Sequence, residues 1–350
     1  MKNGVEPQHS VLIRVYRFVM RKISVRPHLL VASLLLFVSA SYAIDLDRPD
    51  VAAFIETMVA KHGYDQDAIR TILGEAKMQS SIIDLISKPA EKTLTWAEYR
   101  PIFMTKARIR AGAAFWRENR ETLEMISAKN GVPVEILVGI IGVETYFGRI
   151  TGGHRVIDAL TTLAFFYPPR QKFFRGELEQ FLLLVREEDM LATDAIGSYA
   201  GAMGRPQFMP SSYRAYAIDS TGDGKRDIWN NWADVAGSIA NYFNAHGWKS
   251  GEEVAARATL SSRWNGELPK KNKLKAEQTV SSLSDMGVVF STTMPNESAG
   301  QLLSLEGPYG DELWVGFHNF FVITRYNHSV MYALAVHQLG QEIAEEVRRR

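Results

Sequence analysis

The chain contains no cysteine in 350 residues. No disulfide can form, and no cysteine beside a cleavage site can accept a lipid. Charge of one sign is lacking too, with 40 Lys and Arg against 39 Asp and Glu. The 8 histidines show no metal spacing, and His154 and His246 stand beside glycines where loop roles suffice. No Gly-x-Ser-x-Gly elbow is present, which argues against a serine hydrolase. There is no internal repeat and no low-complexity tract. The one strongly apolar run, residues 29–38, is too short to span a bilayer comfortably.

That run follows Arg21, Lys22 and Arg26 and leads into Ser41-Tyr42-Ala43, a small-x-small cleavage site. It reads as a secretory signal peptide, residues 1–43, cut after Ala43. Starting at Met20 would give a signal of more ordinary length. Removing 1–43 takes six basic residues and one acidic residue from the totals, leaving 34 basic and 38 acidic. A formal charge of −4 argues against nucleic acid as a partner. A soluble periplasmic protein without a lipid anchor is expected. Composition is otherwise globular, 46% hydrophobic and 11% aromatic, with ample material for a core.

Glu144 closes the run Pro133 to Gly148, in which Pro133 suits a helix start and Gly148 its end. At helical spacing it lies one turn beyond Ile140 and Ile141 and two beyond Leu137. A carboxyl is thus set on an apolar helix face near the C-terminus. Desolvation and the negative end of the helix dipole both disfavour its ionised form, so its pKa should rise. A carboxyl kept protonated near neutral pH suits a general acid for glycosidic cleavage. The alternative is a structural glutamate paired with an arginine such as Arg149.

The pattern elsewhere is α+β and mainly helical. Asp50 is expected to cap a helix ending before Gly63, and Thr95-Trp-Ala-Glu98 forms a capping box opening one long helix through Trp116. Gly131 closes the next helix. Residues 250–275, polar and lysine-rich, read as an exposed connection. Gly300–Leu305 and Leu313–Ile323, joined by the turn Gly307–Asp311, read as a β-hairpin. A final helix is expected from about Ser329 to Val347.

Two loops carry further signals. Ser198–Tyr213 holds two glycines and two prolines, with Ser198 and Gln207 as neutral polar groups of the kind that read polyols and amides. Asp219–Asp227 matches an EF-hand loop: Asp219, Thr221 and Asp223 at positions 1, 3 and 5, Gly224 at 6 and Asp227 at 9. Lys225 would offer its backbone carbonyl. Position 12 is Asn230 instead of the bidentate Glu, and Asp234 could supply a late carboxylate. A weak structural calcium site in 219–230 is expected, with no cofactor for catalysis; the plain reading is an Asp-Gly turn.

The stretch Val143-Glu-Thr-Tyr-Phe-Gly148, the loop Ser198-Tyr-Ala-Gly-Ala-Met-Gly-Arg-Pro-Gln-Phe-Met-Pro-Ser-Ser212, and Ala240-Asn-Tyr-Phe243 before His246-Gly-Trp248 together resemble the lytic murein transglycosylases of the membrane-bound B type. The resemblance runs from about residue 50 to 340. It implies a lysozyme-like core at about 131–250, an added helical region at about 50–130, a small β part at about 275–325 and a C-terminal helix at about 329–347. The catalytic domain is then 44–350. It also implies cleavage between N-acetylmuramic acid and N-acetylglucosamine without water, leaving a 1,6-anhydromuramoyl end. Glu144 becomes the acid and base. Ser198, Gln207, Tyr242, Tyr326, Asn327, Tyr332 and Tyr99 are implied to surround the substrate. Peptidoglycan glycan strands are the implied partner, other cell-wall enzymes are candidates, and a monomer is expected. Arg205-Pro206 departs from the small residues usual at that point of the loop.

Two rivals remain at this stage. A hydrolytic muramidase needs a second carboxylate, for which Asp158 and Asp194 are available. A non-catalytic murein-binding protein would have no use for a buried acid at position 144.

Overall fold

The computed structural model describes residues 41–87 and 94–349. The signal segment expected at 1–43 lies outside these residues except for its last three. The described chain forms two compact units. One comprises 41–87 and 151–215; the other comprises 94–150 and 216–349. The class is α+β and mainly helical, as expected. Among the described residues, no single helix is long and apolar enough to cross a membrane.

In the first unit, β1 (Ser41–Ala43) pairs antiparallel with β2 (Lys77–Gln79). Cleavage after Ala43 would remove β1 and with it the strand that pairs with β2. Two helices lie between these strands, α1 (Pro49–His62) and α2 (Gln66–Gly74). Asp50 does not cap α1: Arg48 occupies the N-cap and Pro49 the first position. Asp50 sits in the first turn instead, gripped by Arg48 at 2.5 Å and Arg175 at 2.6 Å, where a carboxylate also complements the helix dipole. Gly63 ends the helix in the left-handed region, as expected. Helix α3 (Ser80–Ile86) completes the N-terminal part.

The second unit opens with the capping box of Thr95 and Glu98, but the single long helix is two. Helix α4 (Trp96–Phe103) stops, and Thr105 caps α5 (Lys106–Glu118) by accepting from the Arg108 N–H. Pro101 has no N–H to bond one turn back, and a fresh cap four residues later starts a separate helix. Helix α6 (Arg120–Asn130) ends at left-handed Gly131. Helix α7 (Val134–Thr145) follows, with Pro133 as its N-cap instead of its first residue.

The chain then returns to the first unit. The strand pair β3 (His154–Arg155) and β4 (Ile196–Gly197) brackets α8 (Val156–Phe166) and α9 (Gln171–Glu187). Helix α8, almost wholly buried, is the centre of that unit. Helix α10 (Pro210–Tyr216) leads back, and α11 (Trp232–Ala245), capped by Asn231, resumes the second unit.

The remainder builds an antiparallel five-stranded sheet of β5 (Ala255–Leu260), β6 (Gln278–Thr279), β7 (Val288–Phe290), β8 (Ala299–Gly307) and β9 (Gly310–Phe317), in the order β6-β8-β9-β5-β7. Helix α12 (Val280–Asp285) packs its Val280 and Leu283 with Leu302, Val315 and Phe317. The hairpin β8–β9 is as expected. Strand β5 is not: it lies within the segment read as an exposed connection. Its Ala256 and Ala258 face the core while Arg257 and Thr259 face out, a pattern too weakly apolar to stand out from sequence.

The run expected to stay extended to Ile323 turns helical at His318, as α13 (His318–Tyr326). The buried Asn319 side chain accepts from the Lys249 N–H and donates to the carbonyls of Lys249 and Glu252. This non-local anchor holds the start of α13. Helix α14 (Val330–Arg348) is capped by Ser329, as expected.

Candidate functional site

Helix α7 is buried on nearly every side, and glycines let it approach α14 closely. A Cβ at Gly139 would stand 2.5 Å from the Val336 carbonyl oxygen, and one at Gly340 only 2.1 Å from that of Glu135. This approach brings the last turn of α7 to the first turn of α14. There the Tyr332 hydroxyl donates to Glu144 Oε1 at 2.6 Å. Glu144 is 4% exposed and Tyr332 fully covered.

The end of α7 is unusual. Gly148 was the expected stop, but the helix ends three residues earlier, at Thr145. Tyr146 and Phe147 then take left-handed conformations, φ 51° and 59°, before Gly148 at 77°. Consecutive non-glycine residues in this region are strained and persist only where packing over-determines them. Phe147 stacks on Phe115 at 5.6 Å. The buried Arg108 guanidinium lies 4.7 Å over Tyr146 and donates to the Gly142 carbonyl, two residues before Glu144. Arg149, the arginine considered as a structural partner for Glu144, stands over the Tyr146 ring at 5.2 Å.

Aromatic residues continue away from Glu144. Tyr332 stacks on Tyr326 at 6.4 Å, and Tyr326 meets Tyr242 at 4.9 Å. Tyr242 donates to the Arg325 carbonyl at 2.6 Å and stacks on His246 at 4.1 Å. Asn327, 2% exposed, keeps Nδ2 without a hydrogen-bond partner. Tyr99 lies between Trp96 and Phe103. Burial, and after it the Glu144 charge, push the Tyr326 and Tyr332 phenols well above their ordinary range. Both therefore stay protonated, so Tyr332 is a permanent donor. Tyr242 is raised as well, chiefly by burial, and burial lowers His246.

Thus Glu144, Tyr332, Tyr326, Tyr242, Asn327 and Tyr99 all belong to one unit. Ser198 and Gln207 belong to the other, where they shape their own loop. Ser198 Oγ accepts from the N–H groups of Ala200 and Ala202. Gln207, at φ 54°, donates through Nε2 to the carbonyls of Gly204 and Thr151. The loop is further pinned by paired backbone bonds between Met203 and Phe208. Arg108 was not anticipated, since nothing local marks it as different from its neighbours on α5.

Asp158 is fully engaged: Arg155 binds both its oxygens, and Lys77 N–H and Gln79 Nε2 donate to them as well. Asp194 is exposed and accepts from the Thr193 hydroxyl.

The loop 219–230 is closed by its own carboxylates. Asp219 accepts from the N–H groups of Thr221, Gly222 and Gly224 and from the Thr221 hydroxyl, and the Gly224 N–H foremost, then that of Gly222 and the hydroxyl, hold its pKa below the usual range. Asp223 accepts from Lys225 N–H, and Asp227 from Trp229 and Asn230. Asp234, wholly buried, accepts from Ser220 N–H with one oxygen and Asp227 N–H with the other. It thereby clamps the two ends of the loop. Among the described residues no three His, Cys, Asp or Glu side chains are gathered as for a metal. The donor set of Asp219, Thr221, Asp223, Lys225 carbonyl and Asp227 is all oxygen, which fits a hard cation.

Known proteins resemble the chain in both sequence and structure. Residues 47–341 match the family model described as the Transglycosylase SLT domain. The chain is 42% identical over 308 residues to membrane-bound lytic murein transglycosylase B of Escherichia coli K12, covering 85% of this chain and 83% of that protein. Among solved structures it resembles the lytic transglycosylase SltB1 of Pseudomonas aeruginosa, at 45% identity and TM-score 0.80, over 85% of this chain and 98% of the other. It also resembles the Escherichia coli lytic transglycosylase Slt35, at 42% identity and TM-score 0.79, over 87% and 96%. Slt35 structures exist in complex with bulgecin A and with calcium.

Proposed function

The chain belongs to the lytic murein transglycosylases, and from that membership we propose a mechanism in which Glu144 is both the acid and the base. The protein is an enzyme of the lyase type. It cleaves the bond between N-acetylmuramic acid and N-acetylglucosamine in peptidoglycan without water, leaving 1,6-anhydromuramoyl ends. The fold is the lysozyme-like, mainly helical one of this family.

The observation that carries the mechanism is a buried carboxyl held by a permanent donor, Glu144 with Tyr332 at 2.6 Å. Glu144 gives its proton to the glycosidic oxygen as the C1–O bond breaks. Its carboxylate then takes the proton of the muramoyl C6 hydroxyl, whose oxygen closes on C1. A nucleophile tethered to the substrate has the advantage of an intramolecular reaction, so no second carboxylate has to activate water. The engagement of Asp158 by Arg155 supports this over hydrolysis.

In the same reading, Tyr332 acts through Glu144, to which it donates, while Tyr326, Asn327, Tyr242 and Tyr99 surround the sugars. Ser198 and Gln207 contribute polar contacts to the muramoyl residue. Calcium, when bound, is held by Asp219, Thr221, Asp223, the Lys225 carbonyl and Asp227, and its role is to fix a loop. The enzyme is exported by cleavage after Ala43 and works in the periplasm on glycan strands.

The test is digestion of purified sacculi in heavy-oxygen water, followed by mass spectrometry. The new muramoyl ends should be unlabelled, one water lighter than a reducing sugar and resistant to borohydride. Glu144→Gln should release nothing, because an amide cannot donate the proton. Heavy oxygen at every new end would make the enzyme a hydrolase.

A further inference from the structure

A concave site lies in the unit that carries Glu144, away from the carboxyl. It is a cavity of about 510 Å³ lined by Arg100 of α4, Glu135 of α7, Trp314 of β9, and Gln338, Glu342 and Arg348 of α14. Its volume falls in the ~300–1,000 Å³ range of small-ligand sites. Glu135 is on the first turn of α7 and Glu144 on its last, so at ~1.5 Å per residue they are roughly 13 Å apart along the helix.

The cavity is lined by charges of both signs that do not neutralise one another. Among the described residues, Arg100 and Arg348 make no ion pair with a carboxylate, and Glu135 and Glu342 make none with a cation. Exposed charges are often unpaired, so this alone decides little. The built feature is the buried amide. Gln338, 7% exposed, accepts from Arg100 Nε at 2.7 Å. That bond fixes the plane of the guanidinium and leaves its two terminal nitrogens to offer a carboxylate the paired donors it prefers. Trp314, 8% exposed, lines the cavity with Arg257, which lies 5.5 Å over its ring and pairs with Glu312. An oriented fork for a carboxylate and acids for an ammonium group therefore share one cavity.

We propose that this cavity binds a short peptide carrying both free carboxylate and ammonium groups, separately from the glycan. The source we commit to is the peptide branches of peptidoglycan, and that half of the inference rests on the function proposed above. The binding itself does not. Occupied, the cavity would tether the enzyme to a branch while the carboxyl at the far end of α7 acts on the strand.

The experiment is calorimetric titration of the mature protein with two probes. One is the tetrapeptide Ala-Glu-Lys-Ala with free ends; the other is the uncharged N-acetyl, C-amide Ala-Gln-Gln-Ala. The charged peptide should bind saturably and the uncharged one at least about tenfold more weakly. Arg100→Gln should weaken the charged peptide by at least about tenfold. Glu342→Gln, an exposed change that leaves the fold alone, should weaken it as well. Both variants should cleave peptide-free glycan strands like the parent. Equal binding of the two peptides, no saturable binding, or binding indifferent to both substitutions overturns the proposal. Failure of the parent enzyme to cleave glycan would instead strike the catalytic reading and leave the titration standing.

Discussion

Glu144 and Tyr332 are 188 positions apart in the chain and 2.6 Å apart in space. Because burial and the Glu144 charge keep the Tyr332 phenol protonated, this hydrogen bond persists through both steps of the proposed reaction. Hydrogen bonds to charged groups contribute about 1.5–3 kcal/mol, so Tyr332→Phe should lower kcat by roughly 10–100-fold. KM should hardly move, since the hydroxyl that is removed is engaged by Glu144 and not by the sugar. Steady-state kinetics on isolated glycan strands decide this. An unchanged kcat would remove Tyr332 from the mechanism, and a raised KM alone would make it a substrate contact. Arg108 holds the chain two residues to either side of Glu144, donating to the Gly142 carbonyl and lying over the strained Tyr146.

At the scale of elements, what sets the spacing of Glu144 and Tyr332 is the fit of α7 against α14. Gly340 leaves no room for a methyl group beside the Glu135 carbonyl. Gly340→Ala should push the helices apart and cost about 1–3 kcal/mol or more by overpacking, with a parallel loss of kcat. Gly176 inside α9 has nothing within 4 Å of its would-be Cβ, so the same substitution there should stabilise by about 0.5–1 kcal/mol. Denaturant melts of the two variants check the pair, and equal effects would refute the packing argument. The same contrast explains what could be read from the chain. Thr95, Gly131, Ser329 and the hairpin turn were legible because caps and turns are decided by a few neighbouring residues. The break at Met104, strand β5 and the start of α13 were not. They depend on a helix restarting elsewhere, on two small alanines meeting a sheet, and on Asn319 reaching Lys249 across the fold. In the site, Glu144 stood out because an acid on an apolar face is anomalous. Its tyrosines emerged only through resemblance, and Arg108 not at all, because a buried arginine looks like any other on an amphipathic helix.

For the molecule as a whole, two conditions should tune stability. Calcium should raise the melting temperature, since a ligand of the folded state alone stabilises it. With no glutamate at the twelfth position the affinity should lie near ~10⁻⁵–10⁻³ M, and Asp223→Ala should abolish the increment. A transition unmoved by millimolar calcium and by chelator would reduce the loop to a turn. Acid should act through His337 on α14. This ring is 6% exposed, has no hydrogen-bond partner on either nitrogen, and burial lowers its pKa to about 4. In the unfolded chain it should titrate near ~6.5. Between these values the unfolded state binds a proton that the folded state refuses, so stability present above ~6.5 is lost as pH falls toward about 4. The loss from this one group is roughly 2–3 kcal/mol. Burial lowers half-buried His154 and His246 too, which adds to the loss, whereas it raises the carboxyls of Glu177 and Asp234, which work in the opposite sense. A single-site variant isolates His337 from these. Denaturant melts of His337→Leu at pH 7 and pH 4.5 should show a smaller gap than those of the parent by about that amount. If both proteins lose equal stability on acidification, the proton is taken up elsewhere and His337 is only a poorly bonded part of the core.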